Sequence, residues 1–205
     1  MLTGISTTTI EWALSEMLRR TETFEKATEE LDRVIGRDRQ VEEKDLPNLI
    51  YTKHVLYETM RMHPVSPLLS PHFSREKCKV NGYEILQGTQ ILVNVWSIGR
   101  DPAVWDAPNE FCPERFNGRD IDVNGQHFEL LPFGSGRRMC PASSLGIKLT
   151  MLAFANTLHG FNFQLANAMK PENLNMEEEW GLTVPRKIPL VVVAQPRLPA
   201  HVYSA

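Results

Sequence analysis

The sequence predicts a mainly α chain with small β hairpins and sheets, an α+β arrangement. Three observations carry this. Apolar residues recur at helical spacing in four separate stretches. An Asn-Gly pair stands between two short extended runs in the middle of the chain. Long segments rich in Pro, Gly and Asp separate these elements, and strands do not alternate with helices as βαβ winding requires.

Taken in order, Ile10, Ala13, Leu14, Met17 and Leu18 follow i, i+3, i+4, i+7, i+8, which predicts an amphipathic helix over residues 7–20. Phe24, Ala27, Leu31, Val34 and Ile35 mark a second helix, with Gly36 as its stop. A charged connector, Arg37 to Lys44, leads to a third helix near 48–62, which Pro64 ends. Lys79 to Ile85 predicts a hairpin turning at Asn81-Gly82. Ile91 to Trp96 is another β-rich run. Residues 101–137 show little periodicity, and a coil that long inside one domain is usually functional. Leu145, Leu149, Leu152, Ala153 and Leu158 predict a helix from Ser143 to His159, stopped by Gly160. Ile188 to Val193 reads as a final strand.

Composition narrows the class. The 205 residues suffice for one large core, and 42% hydrophobic with 23% charged residues is the balance of a globular chain. A net charge of −3 gives no argument for nucleic acid or an anionic membrane surface. Cys78, Cys112 and Cys140 are odd in number and far apart, so they form no disulfide framework and fit a reducing compartment. No apolar run approaches the ~20 residues of a membrane span, and no signal-peptide pattern opens the sequence.

The chemistry concentrates in Pro132-Phe133-Gly134-Ser135-Gly136-Arg137-Arg138-Met139-Cys140-Pro141. Glycines let a backbone approach a flat ligand closely. Arginines offer fixed forks to anionic groups. A cysteine just before a helix start sits at the positive end of the macrodipole, which favours thiolate. A thiolate in a close-fitting loop beside a cation is what a haem-thiolate centre requires. A cysteine-nucleophile hydrolase would need a base near Cys140, and no cue for one is present.

Phe133, Gly134, Gly136, Arg138 and Cys140 fill every fixed place of Phe-Gly-x-Gly-x-Arg-x-Cys, so the loop resembles the cysteine-ligand loop of the cytochrome P-450 superfamily. Glu58 and Arg61 are neighbours on one helix face; alone they fit a solvated surface pair. With Pro113-Glu114-Arg115-Phe116 downstream, they resemble the superfamily's Glu-x-x-Arg helix and Pro-Glu-Arg-Phe segment. That resemblance implies a buried charge triad of Glu58, Arg61 and Arg115. Asp45-Leu46-Pro47-Asn48-Leu49 and Trp96 to Pro102 are similar to segments of the plant-type microsomal branch, and the likeness covers essentially the whole chain.

The resemblance implies haem b with its iron held by Cys140, Phe133 beside the sulfur, and Arg138 and His72 on the propionates. Substrate contacts would come from Val65, Ser66, Leu68 and Leu69, and from Leu182 and Thr183 beside Gly181. The implied activity is a monooxygenase that places one atom of O2 in a small apolar substrate. Its partner would be an NADPH-dependent flavoprotein reductase, on the cytosolic face of the endoplasmic reticulum membrane. The resemblance corresponds to the C-terminal portion of that fold as a single partial domain over 1–205. A truncated, catalytically incompetent form stays open as the alternative. The opening helix departs from the family's pattern: Gly4 and Ile5 align with its oxygen-side acid and threonine, leaving Thr7 and Thr8 as the candidate hydroxyls. Ala142 also replaces the usual glycine two places after the cysteine. Cys78, Cys112, His63, His127 and His159 are assigned no chemistry.

Overall fold

A computed structural model describes residues 2–204. Helix α1 spans Leu2–Arg19, α2 Thr21–Ile35 and α3 Ile50–Met62, with a 3-10 turn at Glu43–Asn48 between the last two. Four short strands follow: β1 His72–Phe73, β2 Cys78–Val80, β3 Tyr83–Ile85 and β4 Gln90–Ile91. Then come α4 Val95–Ile98, a coil broken by a 3-10 turn at Pro113–Phe116, α5 Ser143–Gly160, β5 Phe161–Leu165 and β6 Val192–Pro196.

α1 starts well before the predicted residue 7. Apolar periodicity is missing there, but Thr7 Oγ1 donates to the Gly4 carbonyl at 3.0 Å and Thr9 Oγ1 to Ile5 at 3.1 Å. Such back-bonding satisfies hydroxyls inside a helix. α2 ends as predicted at Gly36, whose φ of 79° lies in the left-handed region. The residue before α3 is Leu49, whose side chain cannot cap. Glu30 of α2 supplies the cap instead, accepting from Tyr51 N at 2.8 Å and from Thr52 N and Thr52 Oγ1 at 2.9 Å each. A carboxylate at a helix N-terminus also meets the positive end of the dipole.

The strands form three antiparallel pairs. β2 and β3 close at Asn81 and Gly82, with φ of 46° and 85°, the backbone of a type I′ turn. β1 pairs with β4 through His72 opposite Ile91. The predicted run from Ile91 to Trp96 keeps only its first residue in a strand. Asn94 caps α4 there, its side chain accepting from Ser97 N at 3.0 Å.

Gly160 does not stop α5 by a left-handed turn. It is the last helical residue, and Phe161 passes straight into β5. β5 was not anticipated, although Phe-Asn-Phe-Gln-Leu alternates as a strand does. Its partner β6 begins at Val192 rather than Ile188. Two features delay it: the Leu190 N–H donates to Glu11 Oε1 of α1 at 2.7 Å, and Pro189 has no N–H to give.

The main core joins the three long helices to α5 through fully buried Ala13, Met17, Leu31, Leu56, Phe154 and Leu158. Truncating one of the larger members costs roughly 2–5 kcal/mol. A second cluster of Tyr57, Met60, Trp105, Phe116, Val123 and Leu130 lies under the long coil, so that coil has a core of its own.

Candidate functional site

The loop ending in Cys140 is held by its own backbone. Gly134 N donates to Leu131 O at 3.1 Å, Met139 N to Gly136 O at 3.1 Å, and Cys140 N to Phe133 O at 2.9 Å. Gly134 and Gly136 take φ of 74° and 67°, where a side chain is strained. Ser135 Oγ donates to Gly125 O at 2.5 Å, tying the loop to the coil. Gly125 is a requirement that the sequence left unread: a Cβ there would sit 2.9 Å from Gly134 O and 3.0 Å from Met139 Sδ.

Cys140 is a free, half-buried thiol three residues before α5, and its carbonyl accepts from Ser143 N at 3.2 Å. Gly136 has open space where a side chain would be. Leu145 and Leu149, one turn apart on α5, are 60% and 55% exposed. Arg138 is exposed and makes no hydrogen bond or ion pair among the described residues. A soft donor, an unpaired cation and an uncovered apolar stripe match the iron, carboxylates and apolar face of a haem. Among the described residues no cluster of three or more His, Cys, Asp and Glu is arranged to hold a metal ion.

His72 lies half-buried in β1, and no hydrogen bond among the described residues joins it to Arg138 or Cys140. Phe133 packs toward α5, its Cε1 3.7 Å from where a Gly146 side chain would begin. Thr7 is exposed and Thr8 half-buried on an unbroken α1. Thr150 Oγ1 donates to Ser6 Oγ at 3.0 Å, bringing that end of α1 against α5.

The two candidate substrate stretches meet. Val184 N donates to Val65 O at 2.9 Å, and Trp12 Nε1 donates to Val184 O at 3.1 Å. Leu182 is 69% exposed on the same turn, and Thr183 is exposed beside it. Leu69 reaches the cysteine loop, its Cδ1 3.5 Å from where a Cβ on Gly134 would sit. Val65 is buried, Ser66 half-buried and Leu68 exposed.

Glu58 is fully buried and accepts from Arg61 Nε at 2.7 Å, Arg61 Nη2 at 2.8 Å, Arg115 Nε at 2.8 Å and Cys112 N at 2.8 Å. The guanidinium of Arg61 also donates to the carbonyls of Gly99, Pro108 and Glu110, and that of Arg115 to those of Asp106, Ala107 and Glu110. The three charges thus organise the coil from 99 to 115, which has almost no regular structure of its own. Gly99 is a second unread requirement, since a Cβ would sit 2.4 Å from Arg61 O.

His63, which the sequence left without a role, stacks on Trp12 with centroids 4.0 Å apart and planes 3° from parallel. Its Nε2 lies 2.8 Å from Glu16 Oε1. Burial pushes the Glu16 carboxyl up, but its hydrogen bonds and charge contacts with His63 and Arg20 outweigh this and leave it below its ordinary value. Spacing could not reveal the cluster, because Glu16 and His63 are 47 positions apart.

The family model for cytochrome P450 matches residues 3–192. Trimethyltridecatetraene synthase from Zea mays is 56% identical over 207 residues, covering 98% of this chain and 37% of the relative. Flavonoid 3'-monooxygenase from Arabidopsis thaliana is 46% identical over 206 residues, covering 98% of this chain and 40% of the relative. A zebra fish cytochrome P450 solved with abiraterone superposes with a TM-score of 0.83 at 33% identity, over 95% of this chain and 45% of that one. The chain spans about two-fifths of the length of the curated relatives it matches. Motif, fold and relatives agree, and this chain belongs to the cytochrome P450 family.

Proposed function

We propose that the chain is the haem-binding portion of a monooxygenase, in which Cys140 would supply a thiolate to the iron of haem b. The observation that carries this is the free Cys140 thiol in a loop pinned by two left-handed glycines, beside an unpaired Arg138 and the exposed Leu145 and Leu149. Bound there, haem supplies the redox chemistry that places one atom of O2 in a C–H bond.

The chain's own residues bind and orient. Cys140 holds the iron, and Gly134 and Gly136 let the backbone approach the ring. Phe133 keeps water from the sulfur, whose surroundings tune the metal. Arg138 and His72 hold the propionates. Glu58, Arg61 and Arg115 keep the coil behind the site in one geometry. Thr7, whose hydroxyl donates to the Gly4 carbonyl, and Thr8 are the candidate hydroxyls on the oxygen side.

Val65, Ser66, Leu68, Leu69, Leu182 and Thr183 wall a small, largely apolar substrate. Two Zea mays relatives are named for trimethyltridecatetraene and dimethylnonatriene, hydrocarbons by their names, which supports that class. Electrons come from an NADPH-dependent flavoprotein reductase. The family's place on the cytosolic face of the endoplasmic reticulum membrane completes the reading. Among the described residues no helix is long and apolar enough to cross a membrane.

A second reading, haem binding without productive turnover by these residues alone, is favoured by the absence of an acid next to Thr7 and Thr8 in the sequence. Reduced-plus-CO difference spectroscopy tests the main reading. A thiolate-type Soret band supports it, and a protein that takes up no haem overturns it.

A further inference from the structure

The hairpin that carries Leu182 and Thr183 has two short arms. Glu178 bridges to Arg186, Glu179 N donates to Pro185 O at 3.0 Å, and Lys187 N donates to Glu177 O at 2.9 Å. Beneath it lies His63, 7% exposed, at the C-terminal cap of α3. Nε2 of His63 faces Glu16 of α1 at 2.8 Å, and Nδ1 faces Glu178 of the hairpin at 3.4 Å. Nδ1 is buried and completes no hydrogen bond, although a carboxylate stands before it.

That pairing has a consequence for protonation. An ionised carboxylate only accepts, so Nε2 carries the proton shared with Glu16. In the neutral ring Nδ1 is then a lone pair pointed at the Glu178 carboxylate, two acceptors face to face. Protonation turns Nδ1 into a donor and converts the clash into a charged hydrogen bond. The imidazolium would then join three elements at once: α1, the end of α3 and the hairpin.

We propose that His63 is a protonation-controlled latch, a positioning residue that holds the 177–187 hairpin, and with it Leu182 and Thr183, through Glu178. Other charges face the latch from every side. Arg20 pairs with Glu16 from α1. Arg100, anchored on the Met62 carbonyl, lies within electrostatic reach of Glu178 and Glu16. Arg186 covers the Trp12 ring at 5.3 Å and approaches Glu11 at 3.9 Å. Two carboxylates and these cations therefore face one buried ring, and the geometry at Nδ1 is what protonation of the ring would change. The Val184–Val65 hydrogen bond holds the far side of the tip whether or not the latch is closed.

The effect on substrate rests on the proposed role of Leu182 and Thr183, but the latch does not. Amide exchange of the full chain, followed by mass spectrometry between about pH 5 and 8, reads it directly. Comparing wild type with Glu178→Gln at each pH cancels the intrinsic exchange rate. Protection of segment 177–187 in wild type should fall roughly ten-fold across that range, the size of one charged hydrogen bond. Segment 161–165 should not change. Glu178→Gln leaves a neutral amide and should erase the step, as should His63→Gln, which keeps a donor for Glu16 but cannot gain charge. A wild-type hairpin whose protection shows no step, or a step that survives in both variants, would overturn the latch. Neither result depends on haem, so failure of the latch and failure of the monooxygenase reading are distinguishable.

Discussion

Arg115 Nε sits 2.8 Å from Glu58 Oε1, a contact between residues 57 positions apart, and the same oxygen accepts Arg61 Nη2 and Cys112 N. One buried carboxylate therefore ties α3 to the coil that runs toward the cysteine loop. Removing one member of a buried ion network leaves an uncompensated charge and costs about 3–5 kcal/mol. Glu58→Ala should lose most of its soluble folded protein or melt far lower, with no selective effect on turnover. A Glu58→Ala protein that melts like wild type would show that the network is dispensable.

Cys140 is the thiol with a glycine-arginine loop before it and a helix after it. In haem-loaded protein, Cys140→Ser should remove the thiolate-type Soret band. Cys78→Ser, at an exposed strand position, and Cys112→Ser, beside Glu114, should keep it. Retention of the band in Cys140→Ser would refute the ligand assignment.

Two glycines should respond to alanine in opposite directions. At Gly99 the new methyl meets the Arg61 carbonyl at 2.4 Å, backbone that cannot swing aside, so Gly99→Ala should destabilise by about 1–3 kcal/mol or more. Gly4 lies inside α1 with no atom within 4 Å of its would-be Cβ, so Gly4→Ala should stabilise by about 0.5–1 kcal/mol. Thermal melts of the pair check both signs.

Asp45 caps the turn at 43–48, and the Arg39 guanidinium holds its carboxyl at about 2, below the ordinary 3.8. A depressed carboxyl contributes stability above its unfolded value and loses it as pH falls through the folded one. That contribution should be complete above about pH 4 and gone near pH 2. Asp45→Asn should lower stability at neutral pH by about 1–2 kcal/mol and flatten the acid limb between those values. Acid titrations of the two proteins that run parallel would contradict this.

No acid adjoins Thr7 or Thr8 in the sequence. Without one to meter protons, reduced oxygen would be diverted to peroxide. These 205 residues alone should consume NADPH with reductase, if at all, without hydroxylating apolar aromatic or terpenoid substrates. Coupled product formation by the isolated chain would refute this.

Local chemistry was legible where it is written locally. The Asn81-Gly82 turn, the Gly36 stop and the Cys140 loop each depend on a few adjacent residues whose backbone preferences decide the geometry. The expected start of β6 at Ile188 was displaced to Val192 because a distant group competes for the same backbone. Glu11, 179 positions away, takes the Leu190 N–H that a strand from Ile188 would have used. Within the run from Ile91 to Trp96 the competitor is local instead, the Asn94 side chain capping α4.

By itself the sequence determined the helical periodicities, the hairpin turn and the motif that puts the chain in its family, since these rest on spacing and residue type. Only the tertiary structure decided which groups share a charge. Glu30 caps a helix it does not belong to, Gly99 and Gly125 are glycines because another segment's backbone passes within 3 Å of where a Cβ would sit, and His63 faces two carboxylates from two other elements. A buried polar group must find its partner wherever packing places one, and that partner's distance along the chain leaves no mark in local pattern.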